Sequence, residues 1–131
     1  MPSKILCDKS HEWGGNRRDA AIEIAKRGAL SSCECGAPKH WYLEHYYPNW
    51  EAEAKQEVVH VERLWDDEEA DEERYDPMLF VIRNSKDNHY AILLQYWVNV
   101  EGSWKYGQYS PQLRWKELDT LVRKVPAKFQ D

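Results

Sequence analysis

The side chains best equipped for chemistry in this chain are three cysteines and the histidines near them. Cys7-x3-His11 lies near the start, and Cys33-Glu34-Cys35-Gly36 follows after an intervening helical stretch. Thiolate sulfur and imidazole nitrogen are the donors that tetrahedral zinc takes. Cys7, His11, Cys33 and Cys35 therefore form a candidate metal set with zinc as the ion that would suit it, although the chain as a whole is expected to need no cofactor. Cys33, Cys35, His40 and His45 form an alternative set. Neither spacing is that of a zinc finger or ribbon, where Cys-x-x-Cys knuckles are the stronger signal. The segment between the two pairs reads as a helix of about 14 residues, which spans about 20 Å at about 1.5 Å per residue. The first set closes only if the N-terminal dozen residues double back.

The same groups admit two competing readings. One is ordinary free thiols and surface histidines. The other is nucleophilic catalysis, with Cys33 or Cys35 beside His40, but no third orienting residue can be named and no catalytic signature surrounds the cysteines. Glu51-x-Glu53-x-Lys55 has the acidic-then-lysine pattern of metal-dependent nucleases, yet Glu and Lys interleaved on one helix usually make a solvated face. Gly14-Gly15 opens no phosphate loop.

Composition sets the frame for these groups. The chain has 131 residues, 42% hydrophobic and 31% charged, which fits one globular domain over 1–131 with a core of its own. An odd cysteine count argues against a closed disulfide framework. No signal-peptide core and no run of about 20 apolar residues is present, so the expectation is a cytoplasmic protein with no membrane partner. Net charge is −5, unevenly spread: residues 1–76 hold 10 Lys and Arg against 18 Asp and Glu, whereas 77–131 hold 8 against 5. The acidic excess peaks in segment 62–76. A nonspecific nucleic-acid binder is not expected from the whole chain, although its C-terminal part alone is compatible with one.

The elements that must position these residues follow from capping and periodicity. Asn16 caps a helix that runs to Leu30, with Asp19 in its first turn and Gly28 near its end. Aromatic residues in His40 to Tyr47 predict a strand. Ala54, Val58, Val61 and Trp65 step by four, three and four, which favours a helix over Trp50 to Leu64 against the alternative of a short strand at Val58 to Val61. Asp66 to Glu73 is a charge run, read as a solvated helix end or loop, or as an acidic surface for a basic partner. Met78 to Arg83, His89 to Val100 and Ser103 to Tyr109 read as strands, and Trp115 to Val125 as a helix. Both faces of His89 to Val100 are largely apolar, which places it centrally. The expectation is an α+β domain: an antiparallel sheet of about four strands flanked by two or three helices. If a second subunit helps cover the sheet, the chain is a homodimer.

Seven tryptophans in so small a domain are more than composition leads one to expect. Trp97, Trp104, Tyr106, Tyr109 and Trp115 cluster in the C-terminal unit, interleaved with Lys105, Arg114, Lys116, Arg123 and Lys124. Aromatic faces beside cations stack bases and track phosphates, although a Trp-rich core with charged rims produces the same pattern. Phe80-Val81-Ile82-Arg83, Ala91-Ile92-Leu93-Leu94-Gln95-Tyr96-Trp97, Glu101-Gly102 and Trp115-Lys116-Glu117-Leu118 together resemble the single-stranded-DNA-binding transcriptional coactivator (positive-cofactor-four-like) family. That resemblance covers roughly a third of the chain. It implies a curved antiparallel sheet followed by a dimerising helix, and nucleic-acid contact at Arg83, Trp97, Lys105 and Tyr106. Lys105-Tyr106-Gly107-Gln108-Tyr109 carries one Lys and one Gly where the family has a basic, glycine-rich segment, and the acidic front half has no counterpart.

Function is thus expected to be recognition rather than catalysis. The leading reading is a small accessory protein that binds a macromolecular partner, most simply a protein, through an aromatic patch including Arg83, Trp97, Trp104, Lys105 and Tyr106. A single-stranded nucleic-acid binder and a zinc-stabilised small domain are the alternatives.

Overall fold

A computed structural model describes residues 3–43, 56–84 and 88–130. Six strands pair in chain order as one antiparallel sheet: β1 (Ser3–Cys7), β2 (Lys39–Leu43), β3 (Gln56–Arg63), β4 (Tyr75–Asn84), β5 (Tyr90–Val100) and β6 (Ser103–Tyr106). Helix α1 (Arg17–Arg27) lies between β1 and β2, α2 (Asp67–Glu73) between β3 and β4, and α3 (Trp115–Lys124) after β6. A short 3-10 turn, Ala127–Phe129, follows α3. The α+β class holds, with six strands in place of about four. Among the described residues no helix is long and apolar enough to cross a membrane.

Local chemistry accounts for the helix limits. Asn16 accepts the Asp19 N–H, and Gly28 ends α1 in the left-handed region at φ 79°, a conformation that glycine adopts without strain. The charge run becomes a helix in its own right. Asp66 accepts the Glu69 N–H while Glu69 reaches back to the Asp66 N–H, and three carboxylates crowd the first turn, where the dipole favours them. Trp115 to Lys124 is helical as expected, but the residue it buries against the sheet is Leu121, while Trp115 and Val122, which the apolar spacing places on the inner face, are exposed.

Two apolar layers sandwich the sheet. Ala20, Ala21 and Ile24 of α1 pack on Trp41, Val58, Val61, Met78, Phe80, Ile82 and Trp97. Leu121 and Val125 pack on Leu64, Leu79 and Val81 of the opposite face. The strand covered on both sides is β4, buried continuously from Asp76 to Ile82, rather than β5. β4 sits between β3 and β5 along almost its whole length, whereas β6 pairs only with Trp97 to Val100 of β5.

The helix expected over Trp50 to Leu64 is corrected to strand β3 for the part described, 56–63; its earlier residues lie outside the described ones. The cause is a bulge. Val58 pairs with Ile82 and His60 with Val81, so the register shifts at Val59. The extra residue restores Val61 to the face that Val58 occupies, and both reach the α1 layer. A three-residue step between two buried valines imitates a helix while the backbone is extended.

A candidate metal centre at the junction of β1 and β2

Cys7 is the last residue of β1, and its partner across the ladder is Lys39, the first residue of β2. Beyond Cys7 the chain reverses: Ser10 donates to the Cys7 carbonyl at 2.7 Å, the Cys7 N–H meets the His11 carbonyl at 3.0 Å, and Trp13 returns to Ile5 at 2.9 Å. This reversal is the doubling-back that the first metal set requires. It carries His11 back beside Cys7. The loop before β2 supplies the other two thiols. Its Gly36 N–H bonds the Cys33 carbonyl at 2.7 Å, the Cys33 N–H bonds the Ala37 carbonyl at 2.9 Å, and Gly36 takes φ 84°. Asp8 N–H to the Pro38 carbonyl, 3.0 Å, ties the two loops together.

The outcome is four donors in one place. One ligand atom from each of Cys7, His11, Cys33 and Cys35 lies within 4.8 Å of the others. Cys7 Sγ and Cys35 Sγ are 3.9 Å apart, and Cys33 Sγ lies 3.5 Å from His11 Nδ1. A tetrahedron with Zn–S near 2.3 Å and Zn–N near 2.05 Å has S–S edges of about 3.8 Å and S–N edges of about 3.6 Å. The two measured edges match. Cys7 is buried and Cys35 exposed, so the group spans from the edge of the core to solvent.

Backbone amides surround the sulfurs. The His11 N–H points at Cys7 Sγ at 3.3 Å. The Cys35 backbone N–H lowers the Cys33 pKa, helped by the Cys35 and Cys7 side chains and faintly by Lys39. Cys35 receives the Ala37 N–H, which favours its thiolate, but desolvation and the neighbouring Cys33 and Cys7 sulfurs push its pKa up overall. Three sulfurs this close cannot all carry charge without a cation among them. N–H donors to thiolate sulfur are the outer contacts that orient metal ligands. The three cysteines and His11 can hold a metal ion.

The rival groupings fare differently. His40 faces Glu57 at 2.8 Å and Asp8 at 3.0 Å, and it is His11 that stands beside Cys33. His45 and the Glu51, Glu53, Lys55 pattern lie outside the described residues.

The residues singled out from sequence for binding do not all meet. Trp97, Trp104 and Tyr106 share the α1 face, with Trp97 packed edge-on against Tyr106 at 5.5 Å. They line a cleft of about 460 Å3 together with Arg17 and Arg18 of α1. The Arg18 guanidinium lies 3.8 Å from the Trp104 ring centre, and that of Arg17 lies 5.9 Å from Tyr106. Trp97, only 3% exposed, belongs to the core and forms the floor. Lys105 pairs with Val98 on the opposite face. Arg83 stands at the far end of β4, bonded to Glu57 at 2.7 Å, away from the other four. Sequence reasoning missed Arg17 and Arg18, whose only signal was their place in the first turn of a capped helix. No family model, curated protein or solved structure matches the chain.

Proposed function

We propose that this chain is a zinc-stabilised recognition module of a reducing compartment, in which Zn2+ held by Cys7, His11, Cys33 and Cys35 serves the fold. The convergence of four donors from three segments carries this reading. Four protein ligands complete a tetrahedron and leave no position for water or substrate, as in structural rather than catalytic zinc sites. The metal would join the end of β1, the reversal after it and the loop leading into β2. Elemental analysis of the purified protein is expected to find one zinc per chain, and the Cys33→Ser variant less. Cobalt substitution is expected to give the visible bands of a tetrahedral thiolate site. Protein that carries no metal and takes up neither Zn2+ nor Co2+ under reducing conditions would end this reading.

The recognition half of the proposal rests on rings left in solvent. Trp115 is 89% exposed and Tyr109 83%. Both rings offer free faces to a partner, and a protein is the simplest occupant. The cleft favours a second reading, binding of single-stranded nucleic acid, because the Trp104 and Tyr106 rings line it beside Arg17, while Arg18 is ion-paired with Asp76 at 3.0 Å. The resemblance of the C-terminal third to the single-stranded-DNA-binding coactivators points to the same class of ligand, and of the contact residues it implies, Trp97 and Tyr106 line the cleft. Fluorescence anisotropy with a labelled oligonucleotide tests it: binding should weaken with salt and with Trp104→Ala, and none at low ionic strength removes the reading.

A further inference from the structure

We infer that the free edge of β5 is a self-association site, at which a second copy of this chain adds its own β5 antiparallel and extends the sheet across a two-fold axis.

The argument begins with hydrogen bonds. Tyr96 accepts the Gly107 N–H at 2.8 Å, on the β6 side of the strand. Alternation then directs the N–H and C=O groups of Tyr90, Ile92 and Leu94 to that same side. β6 reaches only Trp97 to Val100. Among the described residues, nothing pairs with the outer edge from Tyr90 to Leu94. Strand edges in stable monomers are shielded by charge, proline, bulges or brevity. The open stretch of β5, the five residues Tyr90 to Leu94, uses no charge, proline or bulge: Tyr-Ala-Ile-Leu-Leu is uncharged and pairs with β4 without a register shift. The opposite edge strand, β1, has five residues and displays Lys4.

Side chains favour a second copy as the occupant. Ile92 is 55% exposed, and Leu93 and Leu94 are half-buried. A two-fold axis near Ile92 sets this uncharged stretch against itself, so apolar meets apolar and no ion is stripped of water. The charges that would repel two acidic chains lie elsewhere. Helix α2 ends beside Tyr75, at the Val98 end of β5. At the Tyr90 end, Arg83 is neutralised by Glu57 at 2.7 Å.

The experiment is sedimentation velocity on the zinc-loaded protein over a roughly hundredfold range spanning micromolar concentrations, where interfaces of modest area associate. A concentration-dependent dimer is expected. Ile92→Lys places two lysines near the axis and should weaken the dimer at least tenfold, because like charges face each other there. Val100→Lys is the control: Val100 is exposed on the same strand where β6 already pairs, and it should leave the dimer intact. Circular dichroism establishes that both variants fold. Backbone amides of Ile92 and Leu94 should gain protection from hydrogen exchange as concentration rises. A monomer throughout, or a dimer indifferent to Ile92→Lys, overturns the inference, and both outcomes leave the zinc reading standing.

Discussion

At the scale of single residues, the most exacting position outside the metal group is Asp76. Its side chain is fully buried on β4, and Oδ2 receives Arg63 at 2.8 Å and Arg18 at 3.0 Å. A buried carboxylate is tolerated only because cations meet it there, and removing one partner of such a group leaves charge stranded. Asp76→Asn should therefore lose about 3–5 kcal/mol, read from urea unfolding. Should its stability fall within 1 kcal/mol of the parent (about the size of a surface pair), the network has no such role. Asp67 extends the same network to the surface. Lys26, at 2.6 Å, and Arg63 hold its pKa down from 3.8 to about 2. A carboxylate lowered in the folded state stabilises above its unfolded pKa, and the contribution disappears as pH falls through the folded value. The advantage of the parent over Asp67→Asn should thus be constant near neutrality and shrink from about pH 4 towards about pH 2. Because Asp67 is more than half exposed, that advantage is at most about 1 kcal/mol. A pH series of unfolding curves checks the direction. Residue types alone pointed to the four side chains that converge, since thiols and imidazoles advertise their chemistry. Arg17 and Arg18 gave no such sign, because what they do depends on rings nearly 90 positions away.

At the scale of elements, legibility followed how local the cause was. Asn16, Asp19 and Gly28 announce α1 because a cap acts within one turn. β1 carried no such signal: five residues without punctuation become a strand only because β2 pairs with them. The bulge in β3 hid its alternation, and β5 looked central because its Tyr90 to Leu94 stretch is apolar on both faces although β6 reaches only Trp97 to Val100. The turn out of β6 is a further case of tertiary demand. The Gly107 N–H closes the last bond to Tyr96, and a Cβ at residue 107 would fall 2.2 Å from the Tyr96 ring. That ring has little freedom to yield, because its hydroxyl accepts the Tyr109 N–H at 3.0 Å. Gly107→Ala should cost about 1–3 kcal/mol, the usual penalty for overpacking. Tyr96→Ala in the same background should recover part of it, since the offending ring is gone. No recovery in thermal unfolding would place the strain elsewhere.

At the scale of the whole molecule, the metal donors and the deepest packing sit in different places. Cys7, His11, Cys33 and Cys35 join β1 to the start of β2, with α1 strung between them. β4 and β5 pair over nine residue positions, and α3 closes its own apolar layer with Leu64, Leu79 and Val81, none of which approaches the metal group in sequence. Stability in such an arrangement is not uniform, because each region opens with the contacts it possesses. If these side chains hold zinc as proposed, withdrawing it should remove the restraint on two loops, and three thiols with one imidazole then need water. Amide exchange followed by mass spectrometry, with and without a chelator under reducing conditions, should show faster exchange across residues 4–13 and 31–43. Segments 77–84 and 90–98 should change little. α1 is the intermediate case: its ends are anchored by the metal loops, yet Ala20, Ala21 and Ile24 remain on the sheet. The same pattern is expected from Cys33→Ser without chelator, which separates loss of metal from any effect of the chelator itself. Uniform acceleration over the whole sheet would mean that the metal supports a single cooperative unit, and no acceleration at all would mean that these four side chains meet without a structural purpose.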